Sequence, residues 1–244
     1  MNTSESLFKK IENAKDLDFN LIFTESVDLF KKVWLKGFIV VSILFGCAIV
    51  INLVFGIIGL STFPYNFENG FDFEAFTEHQ TRNSLYAVPQ NIVLSALMIG
   101  LVGGFYRICR QLVLGESVSD DYFYFLKKAY YSKLLMLGII YTGIATVAQL
   151  LYFFPYIYVF VPLSYFSIVF AMNHHLTEVE IVKVCFKIGH KKWLLTFGTL
   201  FVSGLLAALG VLACVIGLLF TLCLVYLPVF FIYREVIGFE DITT

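Results

Sequence analysis

The chain has 244 residues, of which 59% are hydrophobic and only 14% are charged, and its net charge is −1. A soluble domain could not bury that much apolar surface, and several apolar runs approach the roughly 20 residues needed to cross the hydrocarbon core of a bilayer. The near balance of acids and bases argues against nucleic acid as a partner, because phosphate recognition needs a basic surface.

The apolar runs predict an all-α, polytopic integral membrane protein with six transmembrane helices in one membrane domain, 1–244. Proline cannot continue a preceding helix, so Pro155 marks a tight turn between the third and fourth spans. The last apolar stretch is too long for one span, and Gly210 and Gly217 mark its turn. The spans are placed at 37–60, 91–108, 134–153, 155–172, 194–212 and 216–234, with an outer loop at 61–90.

The basic residues predict the orientation, because Lys and Arg resist translocation and mark cytoplasmic loops. Of the 17 Lys and Arg residues, all but Arg82 fall in the segments that six spans place on one side. Both termini are therefore expected in the cytoplasm. The first 33 residues contain no apolar signal-peptide region, so the first span is expected to act as an uncleaved anchor.

A repeated pattern precedes each outward-going span: an amphipathic segment, a Lys pair, an aromatic residue and then the apolar run. The three copies read TESVDLFKKVWLKGF (24–38), SDDYFYFLKKAYYSKLL (119–135) and EVEIVKVCFKIGHKKWLL (178–195). The pattern predicts three transmembrane hairpins, each preceded by a cytoplasmic amphipathic helix at the headgroup level. Helical spacing places two sets of residues on apolar faces: Phe23, Val27, Phe30 and Trp34 at and just before the first copy, and Ile181, Val184, Cys185 and Ile188 in the third.

Two groups of polar residues are candidates for contact with lipid or substrate. One is the three lysine pairs, which can reach anionic headgroups or simply anchor the helices. The other is two amides in apolar runs, which can contact a substrate or bond between helices. The candidate residues are Lys31, Lys32, Lys127, Lys128, Lys191, Lys192, Asn52 and Gln149.

The outer loop 61–90 is the candidate surface for a protein partner. A loop of this length is usually functional or disordered. It carries spaced aromatic residues that suggest a short helix lying on the outer leaflet or docking a partner. The candidate contact residues are Phe67, Phe71, Phe73 and Phe76.

The chain resembles a set of bacterial six-span membrane proteins, the YciC-like and glycerophosphodiester-phosphodiesterase membrane-domain-like group. The resemblance rests on FTESVDLFKKVW, GESVSDDYFYFLKKAYYSKLL, KIGHKKWLLTFGTL and VYLPVFFIYREV. It implies the six-span fold and a bacterial inner (cytoplasmic) membrane, and it carries over no activity. In proteins where such a domain is fused to a phosphodiesterase, the catalytic barrel is a separate domain.

No cofactor or metal is expected from these residues. His174, His175 and His190 lie near Glu178 and Glu180, but adjacent histidines diverge on a helix and do not match metal-ligand spacing. The predicted spans also lack the membrane-buried charges that proton relays and intramembrane hydrolases use. The function expected first is a non-catalytic accessory subunit of an envelope or translocation complex, with membrane lipids and a membrane protein as partners. The alternative is a transporter or binder of a hydrophobic or lipidic molecule; an enzyme comes third.

Overall fold

A computed structural model describes residues 3–60, 70, 72–151 and 153–239, except for the side chains of residues 153 and 212–216. This part of the chain is helical and contains no strand. Short 3-10 segments occur at Tyr124–Leu126, Leu209–Ala213 and Leu222–Tyr226. The α-helices are α1 (Ser4–Glu12), α2 (Phe19–Ile57), α3 (Phe73–Tyr86), α4 (Val88–Leu114), α5 (Lys128–Leu150), α6 (Phe153–Ser164), α7 (Phe166–Met172), α8 (Glu178–Lys191), α9 (Trp193–Ala208), α10 (Cys214–Thr221) and α11 (Leu227–Val236).

Six helical stretches in the described chain are long and apolar enough to cross a membrane, as in a multi-pass membrane protein. Within its most apolar window, α4 is 61% buried and α2 only 11%. The second span is therefore the centre of the bundle, packed against α2, α5 and α7, and the first lies at its edge. The stretches are Phe19–Ile57, Val88–Leu114, Lys128–Leu150, Phe154–Met172, Trp193–Val211 and Gly217–Val236.

The first repeated segment is not a separate helix, which differs from the expectation. Helix α2 begins at Phe19, where the Asp18 side chain accepts a hydrogen bond from the Asn20 N–H at 2.7 Å, and it runs unbroken to Ile57. No proline interrupts it. Gly37 lies within the helix, where the Cys223 side chain packs directly against its α-carbon. In this part of α2, Trp34 is 43% exposed, and the residues buried within the protein are Ile22, Ser26, Leu29 and Val33.

The second repeated segment also differs from the expectation. Only a 3-10 turn forms at Tyr124–Leu126, and α5 begins at Lys128. Neighbouring carboxylates hold this segment in place through ion pairs, Asp120 with Lys36 and Asp121 with Lys127. The first pair joins the segment to α2, and the second lies within the segment.

The third repeated segment forms a separate helix, α8. Helix α8 begins with a capping box, in which the Thr177 hydroxyl accepts from the Glu180 N–H and the Glu180 carboxylate accepts from the Thr177 N–H. Hydrogen bonds from the Thr177 N–H and hydroxyl lower the pKa of Glu180. The residues Ile181, Val184, Cys185 and Ile188 are all fully buried, as the spacing predicts. They pack within the protein, where α8 contacts α1, α6 and α7.

Helix α1 covers α8 and was not expected from the sequence. Leu7 and Ile11 on its inner face are buried. The Ser4 hydroxyl donates a hydrogen bond to Glu180 at 2.8 Å, and Lys187 pairs with Glu12 at 2.6 Å and lowers the pKa of that carboxyl. The first turns of the chain therefore close over the segment between the fourth and fifth spans.

Helices α4 and α5 approach each other closely. A β-carbon on Gly138 would lie 2.7 Å from the Ile92 carbonyl oxygen and 3.0 Å from Ala96, so only glycine fits there. Nearby, the hydroxyls of Ser95 and Thr142 form a buried hydrogen bond of 3.2 Å across the same interface. The second and third spans thus pack backbone to backbone.

Replacing Gly138 by Ala is expected to destabilise the protein by about 1–3 kcal/mol, because the backbone of α4 must move to accept the methyl group. Gly143→Ala in the same helix is the matched control, since a β-carbon there meets no atom within 4 Å. Thermal unfolding of the purified variants in one detergent measures the difference. Equal unfolding temperatures for the two variants would contradict the close packing.

Candidate functional site

An internal cavity of about 140 Å³ lies between five of the spans. Its lining residues fall near the middle of the spans that contain them, so the cavity lies about halfway along the bundle. The volume is close to that of cavities that accept a benzene-sized ligand. The wall is formed by Met98, Val102, Tyr106, Tyr141, Phe160, Leu163, Ser164, Ser167, Leu200, Val225, Tyr226 and Val229.

Two of the spans that line the cavity are interrupted beside it. In the fourth span, α6 ends at Ser164, two residues after Pro162, and α7 begins at Phe166. In the sixth span, the 3-10 segment Leu222–Tyr226 separates α10 from α11, whose second residue is Pro228. Pro228 cannot donate to the Leu224 carbonyl, which accounts for the 3-10 geometry before α11, whereas the turn at Tyr165 follows Pro162 by three residues. The backbone at Tyr165 and at Tyr226 stays in the right-handed helical region, so both spans tighten locally without unwinding.

Other groups replace the backbone hydrogen bonds that the prolines remove. Pro162 cannot donate to the Tyr158 carbonyl, and the Trp193 indole N–H donates to that oxygen instead, at 3.1 Å. In the sixth span, the Leu227 N–H donates to the Leu224 carbonyl. Pro228 cannot donate to that carbonyl because it has no N–H. The Tyr106 hydroxyl donates to the Tyr226 carbonyl at 2.9 Å. The breaks are thus satisfied by polar groups from neighbouring helices, as an apolar interior requires.

Two apolar grooves on the outside of the bundle adjoin the cavity. The α2 groove, of about 350 Å³, lies between α2, α4 and the sixth span, and it shares Met98 and Tyr226 with the cavity wall. The α9 groove, of about 270 Å³, lies between α6 and α9 and shares Phe160 and Leu200 with that wall. Exposed residues border both grooves, with Phe45 at 54% in the first and Phe201 at 58% in the second. One or two side chains therefore separate the cavity from each lipid-facing surface.

The chemistry of the cavity favours an apolar ligand with a small polar part. None of the described residues that line it is Asp, Glu, Lys, Arg or His. The polar groups in the wall are the Tyr106, Tyr141 and Tyr226 hydroxyls and two serines. The Tyr106 hydroxyl and Ser164 are already bonded to backbone carbonyls. Such a wall can hold a hydrocarbon chain and offer a few hydrogen bonds, and it offers no charge to an ion.

Nothing in the part of the chain that the structure describes gathers three or more His, Cys, Asp or Glu side chains into a metal site. Of the three histidines considered above, His190 bonds the Tyr158 hydroxyl at 3.1 Å, and His174 packs edge-on against Tyr130. Burial and the neighbouring His175 lower the pKa of His174. The histidines serve as packing and hydrogen-bonding groups in this arrangement.

The two amides considered from the sequence do not meet at the cavity. Asn52 lies on the exposed surface of α2, and Gln149 on the exposed surface near the end of α5. Neither lines the cavity or the two grooves. Both amides lie in the C-terminal parts of their helices.

The six candidate lysines lie in different environments. Lys31 pairs with Asp28 at 2.8 Å and Lys127 with Asp121 at 2.7 Å, while Lys32, Lys128 and Lys191 are exposed. Lys192 is buried, and its ammonium donates to the Lys15 carbonyl at 2.5 Å. Lys192 therefore holds the N-terminal segment in place, and the other five candidate lysines lie near the surface.

The outer aromatic residues are only partly described. Phe67 and Phe71 lie outside the described residues. Phe73, at the start of α3, is 67% exposed, and Phe76 is half-buried. Helix α3 has no buried residue, and it occupies most of the second half of the outer loop expected at 61–90.

The cavity was not predicted from the sequence, although Pro162 and Pro228 signal the two breaks around it. A proline near the centre of an apolar run marks an interrupted span. Which helices meet at those prolines depends on tertiary packing, which the sequence pattern does not encode.

Comparison with known proteins finds no family model, no curated protein and no solved structure that matches this chain. The resemblance to the YciC-like group therefore stays a prediction.

Replacing Trp193 by Phe is expected to destabilise the protein by about 1–3 kcal/mol, because the Tyr158 carbonyl beside Pro162 loses its indole donor. Trp34→Phe is the matched control, since the Trp34 indole makes no hydrogen bond in the described chain and keeps its ring contact with Phe220 at 5.7 Å. Thermal unfolding in one detergent measures both. Indistinguishable losses for the two variants would show that the indole does not support the break.

Proposed function

We propose that this multi-pass membrane protein binds a hydrophobic or lipidic molecule, with the end of an apolar chain of the ligand in the mid-bundle cavity of about 140 Å³. One observation carries the proposal: the fourth and sixth spans both depart from regular α-helix at the cavity wall, at Tyr165 and at Leu222–Tyr226. A protein that needed only to span the membrane would gain stability from regular α-helices, because 3-10 hydrogen bonds have poorer geometry. Irregular backbone at membrane depth is tolerated where it lines a cavity.

The two flanking grooves support entry of the ligand from the bilayer. Met98 and Tyr226 separate the cavity from the α2 groove, and methionine changes rotamer easily because its side chain is unbranched. Phe160 and Leu200 form the corresponding partition toward the α9 groove. A lipid chain can therefore reach the cavity sideways, without crossing a polar region.

The proposal extends to topology and location. We propose three hairpins, with amphipathic segments at the cytoplasmic ends, in a bacterial inner membrane with both termini cytoplasmic. The excess of Lys and Arg in alternate segments supports this orientation. Contacts between those segments support it as well, since Arg234 pairs with Glu25 at 2.7 Å and Lys133 donates to the His174 carbonyl at 2.8 Å.

The accessory-subunit function expected from the sequence has less support. It depends on the outer aromatic residues, and of those in the described chain only Phe73 presents a largely exposed ring. An exposed ring at the membrane surface also serves as an anchor in lipid headgroups. The accessory function therefore stays a prediction.

Photolabelling tests the lipid-binding proposal. A palmitate carrying a diazirine near its methyl end is added to the protein in neutral-lipid nanodiscs, and labelled residues are mapped by mass spectrometry. We expect labels on cavity residues such as Tyr141 and Ser164. Val102→Phe should lower that labelling at least fivefold, because the ring occupies the cavity.

The matched control is Val93→Phe, the same substitution at a residue of α4 that is 36% exposed. It should leave cavity labelling unchanged, and both variants should elute as single species of the same size. Labels confined to outward-facing residues, or cavity labels that Val102→Phe does not reduce, would contradict the proposal.

A further inference from the structure

Arg107 lies one residue after Tyr106 on α4, so it points about 100° away from the cavity and toward the segment that precedes α5. Its guanidinium carbon lies 4.1 Å from the centre of the Tyr124 ring. The Lys127 ammonium lies 4.9 Å from the centre of the same ring. Two cations thus converge on one aromatic side chain at the end of the second span.

One nitrogen of the Arg107 guanidinium has no hydrogen-bond partner among the described residues. This atom, Nη1, is buried. Arg110 and Arg234 differ in this respect, since Arg110 pairs with Glu116 at 3.4 Å and Arg234 with Glu25. The two nearest acids of the adjoining segment, Asp120 and Asp121, are engaged by Lys36 and Lys127.

The backbone holds this arrangement in place. A β-carbon on Gly104 would lie 2.5 Å from the Tyr122 carbonyl oxygen, and one on Gly100 would lie 2.7 Å from Leu126. The glycines of α4 therefore let the segment carrying Tyr124 lie directly against the helix. Fully buried Phe125 fixes it further by packing on Phe170, with ring centres 5.0 Å apart. The Tyr124 ring is thus positioned before any ligand arrives.

We propose that Arg107, Tyr124 and Lys127 form a binding site for a phosphate group. A buried guanidinium N–H without an acceptor is costly, and a phosphate oxygen satisfies it with a charge-assisted bond. The planar fork of arginine matches phosphate geometry, and the Lys127 ammonium, which pairs with Asp121, lies over the same ring. The site lies on a different face of α4 from the cavity, so it does not depend on the proposed apolar ligand.

The phosphate can belong to an anionic lipid headgroup or to a free ion, and the experiment separates them. Thermal unfolding of the full chain in a neutral detergent is measured with dioctanoyl phosphatidylglycerol, dioctanoyl phosphatidylcholine or inorganic phosphate, at constant ionic strength. Stabilisation by phosphatidylglycerol alone assigns the site to an anionic lipid headgroup. Stabilisation by inorganic phosphate as well assigns it to the phosphate group itself.

Arg107→Gln is expected to weaken the stabilising phosphate ligand at least tenfold, and Arg107→Lys to weaken it less. Lys32→Gln is the matched control, because it removes one exposed charge from α2 and should change the apparent affinity less than twofold. Without ligand, Arg107→Gln should unfold no earlier than the parent, since a purely structural arginine would cost stability when removed. Equal affinities for Arg107→Gln and the parent, equal losses for Arg107→Gln and Lys32→Gln, or no stabilisation by any probe would overturn the proposal.

Discussion

Backbone hydrogen bonding is the constraint on which this structure depends. In an apolar bundle, each carbonyl that a helix leaves free must find another donor, because water does not compensate it. Pro162 frees the Tyr158 carbonyl, and Trp193 supplies the donor from the start of α9. This bond ties the fourth span to the fifth, about two helical turns before the turn at Tyr165.

The same constraint explains where the cavity lies. Helices that bend or tighten cannot keep side chains interdigitated along their whole length, so space opens beside the breaks. Tyr106 reaches across from the central helix to the Tyr226 carbonyl, and its ring forms part of the cavity wall. The groups that stabilise the breaks are therefore also the groups that a ligand would contact.

Charge and apolar packing divide the molecule into two regions. The cavity and its grooves contain no ionised side chain among their described residues, whereas ion pairs and buried cations lie where the spans meet their connecting segments. Lys192 and Arg234 each join distant parts of the chain there. Arg107 belongs to this second region, and the two proposed ligand sites consequently recognise different chemistry.

The sequence predicts the number of spans and much of their extent, because a 20-residue apolar run has few alternatives. It also predicts the buried face of α8, where Ile181 and Ile188 keep a clear helical period. The first two repeated segments look alike in sequence and differ in structure, since Asp120 pairs with Lys36 on a distant helix. The cavity and the environment of Arg107 depend on which helices become neighbours, and local pattern does not determine that.

The most direct measurement is an experimental structure of the chain in lipid nanodiscs, with a bound antibody fragment to give sufficient size for cryo-electron microscopy. We expect interrupted helices at Ser164 and Tyr226 and elongated density for an apolar chain between α4, α6 and α11. Continuous fourth and sixth spans, with side chains filling the space between Met98 and Leu200, would contradict the account.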